Sequence, residues 1–277
     1  MNANEVCSAL LLGIKDYFRK NNFNKAVIGL SGGIDSSVAV YLAVKALGNK
    51  NVTGILMPDL DVTSRENIND ALGIAKKLKI KYHVATINDI AKKISQKRNF
   101  FANAKNNIQA SANLNARLRM MLLYYFANLN NALVIGTSDK SEIALGYTTK
   151  YGDSGADILV LGDLWKTEVI ELGKYLGVPE KILRKKPSAE LILGQTAEKE
   201  LGASYDVLDK ILKMHIEDDL SASEIAEKGF DKKTVQNAAE RIRLNEHKRR
   251  TAMLIRVSEK SFHGMEWRMP ITNKFKG

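Results

Sequence analysis

Short, continuous apolar runs alternate with longer amphipathic stretches along the first half of the chain. The runs are rich in β-branched residues and end at glycine, proline or polar positions, which is typical of buried strands. They predict strands at residues 26–30, 52–57, 80–85 and 132–136. The stretches between them repeat apolar positions at helical spacing and predict helices at residues 35–47, 63–79, 87–98 and 108–129. Thr63 and Glu66 fit a capping box at the start of the second helix.

This alternation predicts an α/β fold. Continuous apolar strands separated by helices indicate a doubly wound, mostly parallel sheet with helices on both faces. Because the crossovers between parallel strands are right-handed, the carboxyl ends of the strands lie at one edge of the sheet. Ligands bind at that edge in such folds, so residues that directly follow strands are the first candidates for a site.

The second half of the chain has a different pattern. Residues 146–163 are rich in glycine, show little helical periodicity, and predict a mobile loop that we consider as a lid. Farther on, the spacing predicts a helical C-terminal part at residues 166–176, 205–213, 221–228 and 231–245. No linker separates this part, so we predict a single domain over residues 1–277. It would include an N-terminal helix within residues 1–25 and a tail at residues 251–277, which contains Phe262, Trp267 and Phe275.

Composition restricts the class of protein. Apolar residues make up 45% and charged residues 26% of the chain, as in ordinary globular proteins. No apolar run approaches the roughly 18–20 residues that span a bilayer, and the N-terminus lacks the pattern of a secretory signal. The single cysteine, Cys7, cannot form an internal disulfide or a cysteine-rich zinc site. We therefore expect a cytoplasmic protein with no membrane partner.

The charge balance favours anionic partners. The chain carries 42 basic and 31 acidic residues, a formal net charge of +11, which attracts nucleic acids or small polyphosphates. Basic clusters occur at residues 184–186 and 241–250, and no aromatic residues that could stack on bases are interleaved in the second cluster. The clusters are consistent with a solvated basic face or with attraction of phosphorylated substrates, and we expect no nucleic-acid partner.

A glycine- and serine-rich segment connects the first predicted strand to the first helix. Its glycines let the backbone turn tightly, and the helix N-terminus offers N–H groups to an anion. The segment is neither a Walker A loop nor a GxGxxG fingerprint. Asp35 would repel phosphate unless a cation bridged the two, which implies Mg²⁺. The predicted phosphate-binding residues are Gly29, Leu30, Ser31, Gly32, Gly33, Ile34, Asp35, Ser36 and Ser37.

The SGGIDS sequence of residues 31–36 resembles the pyrophosphate loop of the ATP-pyrophosphatase superfamily. The resemblance implies a Rossmann-like fold of the adenine nucleotide alpha hydrolase type. It also implies cleavage of ATP between the α- and β-phosphates. The loop alone does not select one member of the superfamily.

A second set of motifs indicates which member of the superfamily the chain resembles. Residues 136–142 read GTSDKSE, residues 146–153 read GYTTKYGD and residues 155–157 read GAD. In this order they resemble the pattern of ammonia-dependent NAD synthetases, and the resemblance covers roughly residues 26–250. Further matches are LWKT at 164–167, KPSA at 186–189, ELG at 200–202 and HKR at 247–249.

The resemblance implies how ATP is bound. Glu142 follows a neighbouring strand and would hold Mg²⁺ together with Asp35, because hard carboxylate oxygens suit this ion. Lys166 would contact the phosphates of ATP. Thr137 and Ser188 would contact ATP through their hydroxyl groups; the family usually has threonine at the latter position.

The resemblance also implies a site for deamido-NAD. The matching residues are Arg117, Lys150, Asp157, His247 and Lys248. Arg119 lies two positions after Arg117, and spacing alone does not separate their roles. Asp153 would lie near the entry of ammonia, where a carboxylate can hold ammonium and remove its proton. We count Asp35, Lys166 and Asp153 as the candidate catalytic residues.

The activity expected from these motifs is amidation of deamido-NAD. The nicotinate carboxylate would attack the α-phosphorus of ATP and release pyrophosphate, and ammonia would then convert the acyl-adenylate into NAD and AMP. Glutamine-dependent relatives carry a glutaminase domain with a catalytic cysteine, and Cys7 in a short N-terminal helix does not match one. We therefore expect free or delivered ammonia as the nitrogen source. The family further implies a homodimer.

Two alternatives stand beside this interpretation. One is another ATP-pyrophosphatase, such as a tRNA-modifying enzyme, which would leave the residue 149–157 motif unexplained. The other is a non-catalytic basic protein that binds nucleotides or RNA. The presence of Asp35, Glu142, Lys150 and Lys166 argues against a loss of catalysis.

Overall fold

The strands form one parallel sheet. A computed structural model of the chain describes residues 1–95, 107–188, 190–192, 194, 196–250, 252–262, 271 and 274. Its strands are β1 (Lys25–Gly29), β2 (Val52–Leu56), β3 (Lys81–Val84), β4 (Ala132–Gly136) and β5 (Ile158–Leu159). Within the described residues they lie in the order β3-β2-β1-β4-β5, and every neighbouring pair is parallel. The four predicted strands and the α/β fold are confirmed.

The helices surround this sheet and fill the C-terminal part. In chain order they are α1 (Ala3–Lys20), α2 (Ile34–Leu47), α3 (Arg65–Lys77), α4 (Asn88–Ser95), α5 (Ile108–Asn130), α6 (Lys140–Leu145), α7 (Lys166–Leu176), α8 (Glu180–Leu183), α9 (Ala197–Leu201), α10 (Tyr205–Ile216), α11 (Ala222–Glu227), α12 (Lys232–Leu244) and α13 (Glu246–Arg249). The predicted helix at residues 166–176 matches α7, whereas α10 extends beyond its predicted end at residue 213. Residues 96–98 of the helix predicted at residues 87–98 lie outside the described residues.

The capping box predicted at Thr63 and Glu66 is wrong. Ser64 is the N-cap of α3, and its hydroxyl accepts the N–H of Asn67 at 3.1 Å. The Thr63 hydroxyl instead accepts the N–H of Asp59 at 3.1 Å in the preceding turn. Two adjacent residues with hydroxyl groups offer the same capping chemistry, so the local pattern placed the helix start one residue early.

Alternate side chains of the central strands enter two separate cores. Ile28 and Ile135 pack on the face covered by α1, α2, α3 and α7, whereas Val27 and Val134 pack on the face covered by α5. This period of two is the pleat of a sheet buried on both sides. The edge strand β3 differs, because all four of its residues are exposed.

The C-terminal helices build a third core beside the sheet. They pack around the end of α6, and Trp165 enters the same core. The buried apolar side chains of this core include Leu145, Trp165, Leu201, Leu208, Leu212, Ile225 and Val235. α10 contacts both α6 and α7, so the third core packs against the two helices that follow β4 and β5.

The segment predicted as one mobile loop has two different halves. Within residues 146–163, β5 pairs with β4, and Val160 and Leu161 are buried in the main core. The prediction missed this strand because two residues are too short to show a period. A lid over the full predicted range of residues 146–163 does not fit the paired and buried part of that segment, and closure of the remaining residues 146–157 stays a prediction.

The described part of the tail is exposed. Ile255 and Val257 have 92% and 93% of their surface exposed, so these two side chains do not pack on the core, and Phe262 is 81% exposed. Trp267 and Phe275 lie outside the described residues. Among the described residues, none of the helices combines the length and the apolar character needed to cross a membrane.

Candidate active site

A cleft opens at the carboxyl ends of the central strands. β2 lies on one side of β1 and β4 on the other, so the direction of winding changes between β1 and β4. Such a switch point leaves a crevice where the flanking loops diverge. The sequence-predicted residues that line the cleft are Gly29, Leu30, Ser31, Gly33, Ile34, Asp35, Ser36, Thr137, Glu142, Asp153 and Ser188.

The phosphate loop turns at Gly32 and Gly33. Gly32 has a φ of +81°, and a Cβ atom built there would overlap the backbone carbonyl of Asn67 on α3. Gly33 is the N-cap residue of α2. The hydroxyl groups of Ser36 and Ser37 donate to the Gly33 carbonyl at 3.2 and 2.8 Å. The loop therefore presents the start of α2 to the cleft, where N–H groups and the helix dipole favour an anion.

Lys166 lies among three carboxylates beside this loop. Its Nζ atom is 2.8 Å from Asp35 Oδ1, 2.7 Å from Asp139 Oδ2 and 2.9 Å from Glu142 Oε1, and its side chain is fully buried. The structure thus brings together Asp35, Glu142 and Lys166, as predicted. It does not leave Lys166 open to the cleft, because the acids surround the ammonium.

Asp139 is a site residue that the sequence analysis missed. Its side chain caps α6 by accepting the N–H of Glu142 at 2.9 Å, and the Glu142 carboxylate accepts the N–H of Asp139 at 3.3 Å. The spacing of the two acids is that of a capping box, with aspartate in the N-cap position. In the sequence, the capping-box spacing indicates only that a helix starts at Asp139. The ion pair between the Asp139 carboxylate and Lys166 is seen only in the folded structure.

Burial and charge alter the acidity of these groups. Burial raises the pKa of Asp139 and of Glu142, and the neighbouring carboxylates add to the shift while the Lys166 ammonium opposes it. Burial alone would lower the pKa of Lys166, but the charges of Asp35, Glu142 and Asp139 outweigh it and raise that pKa well above its ordinary value. Lys166 therefore stays charged at neutral pH.

The three acids suit a small divalent cation. One carboxylate oxygen from each of Asp35, Asp139 and Glu142 lies within 4.8 Å of the others. Asp35 Oδ1 and Asp139 Oδ2 are buried and accept no hydrogen bond among the described residues, although both are ion-paired with Lys166. Mg²⁺ binds such oxygen ligands, so the donor set fits this ion.

Asp153 faces the cleft from the segment after α6. Its carboxylate accepts the N–H of Thr149 at 2.7 Å and the hydroxyl of Thr148 at 2.9 Å. Asp153 is an exposed residue at the rim, and the protein atoms around its carboxylate reduce the hydration of the charged form, which raises the pKa of Asp153. These hydrogen bonds and the charge of Lys248 oppose the shift. The carboxylate is held in place and is closer to neutrality than an ordinary aspartate.

Four residues predicted for deamido-NAD form a separate group beside the cleft. Lys150 Nζ donates to the His247 carbonyl at 2.7 Å, and Arg117 Nε donates to the Lys150 carbonyl at 3.3 Å. Lys248 Nζ donates to the Gly146 carbonyl at 2.7 Å. The structure brings these four together but does not place them in the lining of the cleft. Their contact with a substrate stays a prediction.

Asp157 is placed away from this group. Its carboxylate accepts the N–H of Val134 at 2.7 Å and the hydroxyl of Tyr124 at 3.2 Å, so it holds the segment before β5 against β4. The structure therefore gives the side chain a supporting role in the sheet. The contact of Asp157 with deamido-NAD stays a prediction.

Arg119 is the arginine of the pair that lines the cleft. Its Nε donates to the Met57 carbonyl at 3.0 Å, at the end of β2. Burial lowers the pKa of Arg119, and the charges of Asp59, Glu190 and Asp153 oppose the shift. Residues two apart on a helix face different sides, which separates Arg119 from the exposed Arg117. Arg119 offers a cation to the cleft.

Two residues of the basic clusters, Lys185 and Arg249, bind groups within the protein. Lys185 Nζ is 2.5 Å from the buried carboxylate of Asp70 and 3.3 Å from the Gly32 carbonyl. Arg249 donates to the carbonyls of Ile143 and Ala144 at 3.1 and 2.7 Å, which satisfies the end of α6. The interpretation of the clusters as a wholly solvated basic face is therefore wrong for Lys185 and Arg249.

The segment after α8 closes one side of the cleft. Lys185, Lys186, Ser188 and Glu190 line it, and the Ser188 hydroxyl accepts the N–H of Glu190 at 3.1 Å. Ala189 of the KPSA motif lies outside the described residues.

Comparisons with known proteins show the family to which the chain is similar. A profile of the family described as NAD synthase matches residues 6–252. The chain is 46% identical to the NH₃-dependent NAD⁺ synthetase of Staphylothermus marinus, over 85% of each chain. It is 44% identical to the glutamine-dependent NAD⁺ synthetase of Thermotoga maritima, over 98% of this chain and 48% of that protein. The chain thus spans about half the length of the glutamine-dependent relative.

A solved structure shares the fold. The NMN synthetase of Francisella tularensis superposes with a TM-score of 0.81 and 34% sequence identity, over 93% of this chain and all of that one.

The substitution Gly32→Ala tests the phosphate loop. A methyl group at Gly32 would meet the Asn67 carbonyl in a backbone conformation that favours glycine, so the loop or α3 must shift. We expect ATP to bind at least about tenfold more weakly, which is about 1.4 kcal/mol. Isothermal titration calorimetry measures this.

Gly33→Ala is the matched control. Its Cβ atom would meet no atom closer than the flexible Ser31 hydroxyl at 3.3 Å, and its φ of −86° suits alanine. Equal ATP affinities of the two variants would contradict the steric argument.

Proposed function

The chain belongs to the NAD synthase family, and we propose that it converts deamido-NAD, ATP and ammonia into NAD, AMP and pyrophosphate. One observation carries the proposal: Lys166 and three carboxylates meet beside a glycine-rich phosphate loop at the β1–β4 switch point. This arrangement pairs groups for a polyphosphate with groups for the cation that accompanies it.

Ammonia as the nitrogen donor is supported by the relative from Staphylothermus marinus. That protein is described as NH₃-dependent, and the two chains cover the same share of each other. The relative described as glutamine-dependent aligns with this chain over less than half of its own length. We therefore propose that residues 1–277 contain the part of the reaction that consumes ammonia.

We propose that ATP lies along the phosphate loop with its phosphates at the start of α2. The serine hydroxyls and the helix N-terminus would bind the phosphate oxygens. Thr137 and Ser188 face the same cleft from opposite sides and would bind ATP through their hydroxyl groups. Asp35, Glu142 and Asp139 would hold Mg²⁺, which when bound supplies positive charge to the departing pyrophosphate.

In the first step the nicotinate carboxylate attacks the α-phosphorus, and the bond to pyrophosphate breaks. Negative charge grows on the leaving oxygen, and Lys166 is the nearby cation that would stabilise it. Arg119 offers a second positive charge in the cleft for an anionic group of the substrates. The product is an acyl-adenylate with a good leaving group on the carbonyl carbon.

In the second step ammonia attacks that carbonyl carbon. The new amide forms, the proton of the attacking nitrogen is transferred to Asp153, and AMP leaves. The raised pKa of Asp153 suits a proton acceptor better than an ordinary aspartate. Water would hydrolyse the acyl-adenylate, so we propose that residues 146–157 close over the intermediate.

A second candidate function is the same amidation of a mononucleotide. The fold match to a protein described as an NMN synthetase favours it. Both substrates present a nicotinate carboxylate, and they differ in the adenylate half of deamido-NAD. The group of Arg117, Lys150, His247 and Lys248 lies beside the cleft and would contact that extra half.

The proposed function is tested by product analysis. The protein is incubated with ATP, Mg²⁺ and either deamido-NAD or nicotinate mononucleotide, with ammonium or glutamine as the donor. We expect NAD and an equal amount of AMP from deamido-NAD with ammonium, and little product from glutamine. Faster turnover of the mononucleotide would establish the second candidate, whereas a salt-sensitive RNA complex without ATP turnover would overturn both.

Asp153→Asn tests the proton acceptor. Asparagine keeps an oxygen for the Thr149 N–H but cannot take a proton, so kcat/KM for ammonium should fall by about 10²- to 10⁴-fold. The wild-type rate should fall as the pH drops through the raised pKa of Asp153, and the variant should lose that limb. Stopped-time NAD assays across pH measure both.

Asp163→Asn is the control for this variant. It makes the same change in charge at a carboxylate that is 95% exposed on the surface. A wild-type pH profile in Asp153→Asn would contradict the assigned role.

We also propose that the protein forms a homodimer through α5. Met121, Tyr125 and Leu129 are 49%, 65% and 67% exposed and repeat every four residues, so they share one face of the helix. Exposed apolar patches of this kind mark interaction surfaces.

Leu129→Glu tests this interface. Burying an unpaired charge at the contact should convert a dimer into a monomer, as measured by sedimentation equilibrium. Leu12→Glu is the control, because Leu12 is a 70% exposed leucine on α1. A monomeric wild-type protein, or a dimer that survives Leu129→Glu, would overturn the proposal.

A further inference from the structure

One face of α10 contacts residues at the N-terminal ends of α6 and α7. The side chains on this face repeat every four residues, which places them in one row. They are Tyr205, Asp209, Lys213 and Glu217. Leu208, Ile211 and Leu212 of α10 enter the third core, as does Tyr205 at the start of the row. The helix therefore links that core to the elements that carry Glu142 and Lys166.

The last two residues of the row, Lys213 and Glu217, are partly exposed. Lys213 Nζ lies 3.2 Å from Glu168 Oε1, and both side chains contact solvent. Glu217 Oε1 accepts Lys140 Nζ at 2.8 Å and Trp165 Nε1 at 3.0 Å, with 37% of the Glu217 side chain exposed. Pairs of this kind contribute little to stability.

The centre of the row is buried. Asp209 is 4% exposed, and its Oδ1 accepts the Ser141 hydroxyl at 2.6 Å while its Oδ2 accepts the Thr167 N–H at 2.8 Å. The same Ser141 hydroxyl oxygen accepts the N–H of Lys166 at 2.9 Å. One carboxylate thus fixes the residue before Glu142 and, directly and through Ser141, the first two residues of α7.

These contacts supply α7 with a cap from another helix. The first N–H groups of a helix have no partner inside it, and an acceptor at the N-terminus also interacts favourably with the helix dipole. Asp209 and Ser141 satisfy the N–H groups of Thr167 and Lys166. Without them, buried donors would lose their partners, and the first turn of α7 would be free to shift.

We propose that Asp209 is a positioning residue that fixes the Lys166 ammonium among the three carboxylates, acting through Ser141 and the first turn of α7. Tyr205 supports the same assignment, since its ring centroid lies 5.3 Å from Lys166 Nζ, one helical turn before Asp209. Asp209 does not line the cleft. Its effect on catalysis rests on the proposed function, whereas its effect on the position of Lys166 does not.

The position of Lys166 is tested without substrates by amine labelling. Wild-type protein and Asp209→Asn are pulsed with an acetylating reagent, and acetylation of Lys166 is measured by mass spectrometry against the exposed Lys15. Lys166 is fully buried and should react slowly in the wild type. We expect about tenfold faster labelling in Asp209→Asn, because asparagine cannot accept the Ser141 hydroxyl and the Thr167 N–H together.

Two control variants separate positioning from loss of stability. Glu217→Gln changes an exposed carboxylate of the same row and should leave the labelling of Lys166 unchanged. Leu212→Ala removes a fully buried side chain of α10 and lowers the melting temperature without touching Ser141 or Thr167. It should also leave Lys166 protected at temperatures well below its melting transition.

Steady-state kinetics provide a second readout. If Lys166 stabilises the departing pyrophosphate, displacing it by a fraction of an ångström should lower kcat by about 10- to 100-fold. The KM for ATP should change by less than about threefold, because the lost interaction strengthens in the transition state.

The proposal has outcomes that overturn it. It is overturned if Lys166 is acetylated no faster in Asp209→Asn than in the wild type. It is also overturned if Leu212→Ala increases the acetylation rate as much as Asp209→Asn does. If Asp209→Asn does not fold, Ser141→Ala breaks the same link from α6 and should give the same two effects. A wild-type enzyme that forms no NAD would refute the proposed function while the labelling still decides the position of Lys166.

Discussion

The Lys166 ammonium and the carboxylates of Asp35, Asp139 and Glu142 depend on one another. A buried ammonium without partners would lose its proton or unfold its surroundings, and three clustered acids without a cation would repel each other. Together they satisfy the charge, and each contact is shorter than 3 Å. The cluster therefore fixes the relative positions of α2, α6 and α7, since each of these elements carries or begins beside one of the charges.

The parallel sheet explains why these charges meet. β1 and β4 are neighbours and run in the same direction, so the loops after them arrive at one place although about a hundred residues separate them in the chain. α7 begins near the same edge, and α10 braces its first turn from the side of the third core. The catalytic geometry thus depends on helices that lie far from the phosphate loop in sequence.

The sequence predicted the parts of this site that follow strands. The family resemblance placed Asp35 and Glu142 together, and parallel strands with right-handed crossovers explain why the ends of their two strands lie at one edge. Asp139 was missed as a charge partner because its spacing to Glu142 reads only as a helix cap. Asp209 had no local signal, since a buried acid in an amphipathic helix looks like any polar position until its tertiary contacts are known. Arg117 and Arg119 could not be separated until the direction of α5 was fixed, and β5 was too short to show a period.

Lys185 joins two loops that the chain keeps far apart. Its ammonium is paired with Asp70 on α3 and donates to the Gly32 carbonyl of the phosphate loop, while the residues just after it carry Ser188 along the opposite wall of the cleft. These contacts of Lys185 fix the position of the phosphate loop relative to the segment after α8. A nucleotide bound in the cleft would therefore contact two segments whose spacing is set by a single ammonium, and a change at Lys185 would alter the width of the site without removing any group that lines the phosphate loop.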